Sequence, residues 1–336
     1  MAGLVFRFPS LHGGKAVPLW IAVVLAALSY TSFAQQVHVE PRPEKPVRPA
    51  AEKERLSLHV RPFRVNVDLV LVPVTVTDAK NRPVTGLTRE DFALREGAKP
   101  QEIRYFSSED APLSVGVLLD VSKSMKDKIE LARDALMEFF NDSHPDDDYF
   151  VITFSDRPEV IADVTRSIGT IREKLANAKP AGHTALLDAI YLGLNKLNHA
   201  RYQRKALLII SDGGDNHSRF TADELKGLVM ESDVQIYGIG IYGRVFHTPE
   251  EWAGKRLLKQ ITEATGGRAI TVGNASELPE AAGAISRELR NEYVLGYAPP
   301  DGDTSGWRKI KVTVTPQKDG LPMQVNWRRG YMAPGQ

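Results

Sequence analysis

No cysteine occurs anywhere in the 336 residues. That absence excludes a disulfide framework, thiolate metal ligands, a cysteine nucleophile and a lipid-modified N-terminal cysteine. It leaves the compartment open, because a chain without thiols suits oxidising and reducing surroundings alike. Net charge is nearly absent too: 43 Lys and Arg against 42 Asp and Glu leave +1. With no global field to steer the chain toward phosphate, nucleic acid is not an expected partner. Neither a GxSxG elbow nor an HExxH pair is present, so the signatures of hydrolase serine chemistry and zinc proteolysis are missing.

Long apolar runs are equally scarce. Near the N-terminus, Val17–Leu28 is an uncharged run of about 12 residues, well short of the roughly 20 that span a bilayer. Arg7 and Lys15 precede it, and Ser32-Phe33-Ala34 follows with small residues at the −3 and −1 positions of a cleavage site. Residues 1–34 therefore read as a signal peptide and the protein as secreted or periplasmic. An uncleaved membrane anchor is the competing reading. Residues 35–61 are rich in Pro, Glu, Lys and Arg and poor in large apolar side chains. Such a segment buries too little surface to offset its ordering entropy and reads as an extended tether.

Over the whole chain 42% of residues are hydrophobic and 25% charged, an ordinary globular composition, and the length suits about two domains. From Phe63 to Thr77 apolar and polar side chains alternate, with Val65, Val67, Leu69 and Leu71 on one face. The phase shifts near Pro73 to Val74 and Val76, which implies a bulge or an edge position. Phe92–Glu96 and Glu102–Phe106 read as further short strands, and Tyr293–Tyr297, Lys309–Thr315 and Met323–Trp327 repeat the pattern at the other end.

Between them the period changes. Leu113–Leu119, Tyr149–Phe154, Lys205–Ile210, Val234–Ile241 and Arg268–Val272 read as buried strands. Met125–Asn141, Ser167–Ala178, Thr184–Leu197, Ala222–Glu231, Glu251–Thr265 and Ser276–Asn291 read as helices. Alternation of this kind implies a doubly wound, mostly parallel α/β sheet covered on both faces. We expect that domain, residues 111–290, to be inserted into a small β-sandwich whose halves are residues 62–110 and 291–333.

Ligands of doubly wound sheets sit outside the carboxyl ends of the strands. Asp120-Val-Ser122-Lys-Ser124 follows the first buried strand, Gly182-His-Thr184 precedes the third helix, and Ser211-Asp212-Gly213 follows the strand at Lys205–Ile210. Asp120, Ser122, Ser124, Thr184 and Asp212 would bring two carboxylates and three hydroxyls to one edge. Hard oxygens with only two carboxylates suit Mg²⁺, or Mn²⁺ or Ca²⁺ in its place, and leave coordination to be completed by water or by a partner's carboxylate. The plainer readings are helix caps at Ser122, Ser124 and Thr184 and a turn at Asp212-Gly213.

The segments DVSKS, GHTALLDAI and SDGGDN resemble the metal-ion-dependent adhesion site of von Willebrand factor type A domains. That family's pattern of Asp-x-Ser-x-Ser, then Thr, then Asp falls on Asp120, Ser122, Ser124, Thr184 and Asp212, with His183 where many members have Gly. TVTDAKNRPVTGLTREDFALREG and EYVLGYAPPDGDTSGWRKIKV, on either side, resemble those of a bacterial group of secreted "VWFA-related" proteins. The resemblance implies a type A domain hosted by a sandwich, much as in integrin β chains.

Other signals are weaker. Gly238-Ile-Gly240-Ile-Tyr-Gly243 spells a dinucleotide fingerprint but is followed by Arg244–Pro249 instead of a helix, so no nucleotide is expected. Asp146-Asp147-Asp148 reads as a solvated turn and Arg328-Arg329 as an exposed strand end. An aspartyl-phosphate enzyme would want a second carboxylate where Ser122 stands. The function expected is non-enzymatic: adhesion to a protein ligand through its Asp or Glu carboxylate. The alternative is a structural envelope component whose metal only stiffens loops. A third reading, an accessory subunit of a magnesium-chelatase-type ATPase, conflicts with the export signal. Membrane contact is expected only through the signal peptide or an uncleaved anchor.

Overall fold

The computed structural model describes residues 69–242, 249–299, 306–315 and 322–333, all within one compact unit, residues 64–336. The expected signal peptide and tether lie outside the described residues, as do Val65, Val67 and the Gly243 end of the glycine motif. Among the described residues no helix is long and apolar enough to cross a membrane.

The central sheet is built from β5 (Ser114–Asp120), β6 (Asp148–Phe154), β7 (Pro158–Thr165), β8 (Lys205–Ser211), β9 (Gln235–Ile241) and β10 (Ala269–Val272). Their order is β10-β9-β8-β5-β6-β7. All neighbours are parallel except β6 and β7. Both faces are covered, which is why β5, β6 and β9 are buried along their whole length. On one face lie α1 (Ile129–Asn141), α2 (Ile168–Ala176) and α6 (Leu278–Arg290), packed on Val115, Val117 and Leu119. On the other lie α3 (Leu186–Asn198), α4 (Ala222–Glu231) and α5 (Pro249–Thr265), packed on Leu118, Phe150 and Leu207. Ile129, Ala132, Leu136 and Phe139, at helical spacing, form the buried stripe of α1.

The flanking strands make two four-stranded sheets. One orders β13 (Met323–Trp327), β1 (Val70–Asp78), β11 (Tyr293–Tyr297) and β4 (Tyr105–Ser107). The other orders β14 (Gly330–Ala333), β12 (Gly306–Val314), β2 (Phe92–Glu96) and β3 (Lys99–Gln101). Each sheet combines strands from both ends of the chain, and their inner faces share the core of Val72, Val74, Leu94, Leu295 and Ile310. The α/β domain is thus inserted into a sandwich made from N- and C-terminal strands.

Several sequence expectations need correction. The core face of β1 is Val72, Val74 and Val76, whereas Leu71 is exposed, and its ladders to β11 and β13 show no bulge. Pro73 does sit where β1 has one neighbour: it pairs with Val294, and β13 joins only from Val74. The strand expected over Glu102–Phe106 is replaced by β3 and β4 on either side of Glu102–Arg104. The first helix starts at Ile129, after a 3-10 turn at Lys123–Met125. Strands β7 and β14 were not expected at all.

Asp147 is not solvated. Its carboxylate accepts from the Leu113 amide at 2.9 Å, the His144 amide at 3.0 Å and the Tyr149 hydroxyl at 3.0 Å, and pairs with Arg290 at 3.3 Å. Nor is Arg328 a free end: it pairs with Asp233, donates to the Met230 carbonyl at 3.3 Å and bridges to Thr265. Gly238 and Gly240 in β9 are packing glycines, since side chains there would strike Leu258 at 2.6 Å and Tyr242 at 2.3 Å.

The junction of domain and sandwich is ionic. Glu288, on α6, accepts from Thr75 of β1 at 2.8 Å and from Arg268 at 2.5 Å. Glu292, just before β11, accepts from Gln235 at 2.5 Å and from Arg204 at 3.2 Å. Burial raises the Glu292 carboxyl despite Arg204 and Gln235.

Candidate functional site

Strand β5 ends at Asp120, whose carboxylate is fully buried. One oxygen accepts the Ser122 amide at 2.8 Å and the other the Ser211 hydroxyl at 2.6 Å, so it ties the end of β5 to the end of β8. Burial pushes the carboxyl up to about 6 against the lowering effect of those hydrogen bonds, and nearby Asp212 adds repulsion. The Ser122 and Ser124 hydroxyls are 3.0 Å apart, and Ser124 donates to Asp212 at 2.8 Å across 88 positions of sequence. The second Asp212 oxygen receives the ammonium of Lys128. Ser122, Ser124 and Asp212 thus meet Asp120 in one hydrogen-bonded cluster.

Thr184 arrives on the third loop. Its amide donates to the Asn216 side chain at 2.9 Å, and its carbonyl accepts the amides of Asn216 and His217 at 3.0 and 3.2 Å. Its hydroxyl lies 4.0 Å from where a side chain would begin on Gly213, the residue after Asp212. The loop containing Gly182 is held by backbone hydrogen bonds from Lys123 to Gly182 (3.2 Å), Ala181 to Val121 (2.8 Å) and Ala185 to Ser155 (2.8 Å). Gly182 has φ +78°, and a side chain there would strike the Asp156 carboxylate, which accepts the His183 amide at 2.8 Å.

The cap readings do not describe these hydroxyls. Ser122 precedes the 3-10 turn without a side-chain capping bond, and the residue at the N-cap of α3 is Ala185, not Thr184. Nor is Asp212-Gly213 a plain turn, because the Asp212 side chain is only 1% exposed.

Sequence reasoning missed the residues that hold the loops. The segment after β8 folds over the start of α3, where Asp215 accepts the Leu187 amide at 3.2 Å and Ser218 accepts the Asp188 amide at 3.1 Å. Asp188 in turn accepts the Arg219 and Phe220 amides at 2.9 and 3.2 Å. Burial alone would raise the Asp188 carboxyl, but the Arg219 side chain and these amides outweigh it and hold it low. On the far side, α5 presses on the same loop: a Cβ on Gly254 would come within 2.6 Å of the Gly214 Cα. An acidic residue in the first turn of α3, followed by SDGGDNHS, was the available signal.

Among the described residues no group of three or more His, Cys, Asp or Glu side chains is placed to hold a metal. The present set is of another kind, two carboxylates and three hydroxyls, all hard oxygen donors suited to Mg²⁺. Of the two buried carboxylates, Asp212 pairs with the Lys128 ammonium, and no described cation is hydrogen-bonded to Asp120. A divalent cation suits that imbalance.

No curated protein matches the chain. Among solved structures, a von Willebrand factor type A protein from Catenulispora acidiphila is 12% identical with a TM-score of 0.45, over 75% of this chain and 71% of that one. An aerotolerance-related membrane protein from Bacteroides fragilis is 20% identical with a TM-score of 0.42, over 53% of this chain and 98% of that one. The PilB minor pilin from Streptococcus sanguinis is 13% identical with a TM-score of 0.46, over 55% of this chain; the chain spans 63% of that pilin, under two thirds of its length. Residues 115–214 match the family model of the von Willebrand factor type A domain. With that match falling on β5 to β8 and their loop cluster, the chain carries a von Willebrand factor type A domain.

Proposed function

We propose that the chain is an exported, non-enzymatic recognition protein that binds the Asp or Glu carboxylate of a protein partner through a divalent cation. The type A fold serves as a protein-interaction module in general. Asp120, Ser122, Ser124, Thr184 and Asp212 would hold the cation, Mg²⁺ or Mn²⁺. When bound, it supplies a Lewis-acidic position for an oxygen of the partner. The chain's own residues do the rest. Asp120 is fixed from both sides by Ser122 and Ser211, so it does not swing out. Ser124 orients Asp212. Asn216 holds the Thr184 backbone to the loop that carries Asp212. Export rests on the signal-like segment at residues 1–34.

The observation that carries this reading is the nearness of buried Asp120 to buried Asp212, with one ammonium, that of Lys128, paired to Asp212 alone, at the edge where the loops of a doubly wound sheet take ligands. Calorimetry with MnCl₂ tests the site: the wild type is expected to bind one ion, and Asp120→Ala, Thr184→Ala and Asp212→Ala to abolish or strongly weaken binding. Unchanged affinity in these variants sinks the assignment. A pull-down from an envelope fraction, with and without EDTA and with Asp120→Ala as control, tests adhesion. A metal-dependent rise in melting temperature with no metal-dependent partner would favour the structural alternative.

A further inference from the structure

We infer that Lys128 is the resident counter-cation of Asp212, which an incoming divalent ion must displace, so that this lysine sets how tightly the site takes metal. The inference rests on the site reading just given and concerns a residue outside its five donors. Both Asp212 oxygens are engaged, one by the Ser124 hydroxyl at 2.8 Å and the other by the Lys128 ammonium. Each oxygen keeps a further lone pair, so what decides which bond survives beside a divalent ion is the charge of the donor. A hydroxyl can remain as a neutral donor beside the ion, whereas an ammonium there is repelled by it. With two carboxylates in place, an ion and Lys128 together leave the cluster one positive charge in excess.

The position of Lys128 is a second, independent observation. It occupies the N-cap of α1 and makes no side-chain capping bond. Helix N-caps favour Ser, Thr, Asp or Asn, and a cation at a helix N-terminus opposes the dipole. Nothing about α1 calls for a lysine there; Asp212 does. The backbone is pinned, since the Lys128 amide donates to the Met125 carbonyl at 2.9 Å and its carbonyl accepts the Ala132 amide at 3.0 Å. The side chain is 33% exposed, against 1% for that of Asp212. Exchange therefore needs only rotation of the lysine stem toward solvent, with the loops left in place.

Titration of the metal-stripped full chain with MnCl₂, by calorimetry and by thermal melting, tests this. Lys128→Met is expected to bind Mn²⁺ about tenfold tighter than wild type, the scale set by losing one partly buried charged hydrogen bond. Without metal, Lys128→Met is expected to melt lower than wild type, because Asp212 is left buried and unpaired. Saturating Mn²⁺ is expected to close that gap. Lys128→Arg, which keeps the cation, is expected to stay near wild-type affinity. A purely structural lysine would lower the melting point with and without Mn²⁺ and leave affinity unchanged. Equal or weaker Mn²⁺ binding by Lys128→Met, with wild type binding and Asp120→Ala not binding, overturns this inference and leaves the site reading intact. If neither wild type nor Lys128→Met binds Mn²⁺, the site reading falls, and this inference falls with it.

Discussion

The two ends of the central sheet each bury a pair of carboxylates, and they neutralise them differently. At the sandwich end, Glu288 and Glu292 face Arg268 and Arg204, one guanidinium for each carboxylate. At the loop end, Lys128 pairs with Asp212, and Asp120 is held only by the Ser122 amide and the Ser211 hydroxyl. The first arrangement is balanced by the chain itself, as befits a joint between two bodies. The second is one positive charge short, and an unpaired buried charge is costly. The sandwich end is complete as it stands, while the loop end is arranged for something to be added.

The sharpest way to break this contrast is at the balanced end. Arg204→Ala leaves Glu292 without its cation and removes hydrogen bonds at 2.7 Å to the Ala111 and Leu289 carbonyls. Breaking one side of a buried pair typically costs about 3–5 kcal/mol. Urea denaturation should show a loss of that order, with no recovery when Mn²⁺ is added. Recovery with Mn²⁺ would mean that the two ends do not behave separately.

A smaller effect is expected where α5 meets the loop that carries Asp212. Gly254→Ala sets a methyl against Gly214 Cα at 2.6 Å and Gly213 O at 2.9 Å. Overpacking there costs about 1–3 kcal/mol, offset by about 1 kcal/mol of helix propensity gained over glycine. Global stability should fall by less than about 2 kcal/mol, whereas Mn²⁺ affinity should drop severalfold because the displaced backbone is that of the loop after Asp212. If affinity is untouched, the loop tolerates displacement and the loop end is less preorganised than its hydrogen bonds imply.

Much of this contrast was legible in the sequence on one side only. DVSKS and Asp212 stand at strand ends that apolar runs announce, and Thr184 stands just before an apolar-striped helix, so their convergence follows from the order of elements. Lys128 and Asn216 carry no such signal, because their partners lie 84 and 32 residues away and a surface lysine or a turn asparagine looks the same without them. The ionic joint was hidden for the same reason: Arg204, Glu288 and Glu292 sit beside apolar runs and read as ordinary helix or strand ends. Asp147 was misread because three consecutive aspartates suggest solvent, while the middle one is buried against Leu113, Tyr149 and Arg290. Strand β7 escaped because its pairing with β6 shifts register at Val151 and its Val160 and Val164 remain exposed. Four residues after two arginines were too few to announce β14.

The finest test of the balanced end is a pH slope. Burial raises the Glu292 carboxyl above the ordinary glutamate value of 4.5 despite Arg204 and Gln235. A carboxyl that is raised in the fold holds its proton more tightly there than in the unfolded chain. Its contribution is therefore fully present below pH 4.5 and is lost as pH rises through the folded value. Glu292→Gln cannot titrate and keeps a carbonyl oxygen to accept from Arg204. Relative to this variant, the wild type should lose stability as pH climbs above 4.5 and then level off. Chemical denaturation of both proteins at a series of pH values, in the presence of EDTA, reads the difference. Parallel curves would mean that Arg204 and Gln235 fully offset the burial of Glu292, making this end even better balanced than its distances suggest.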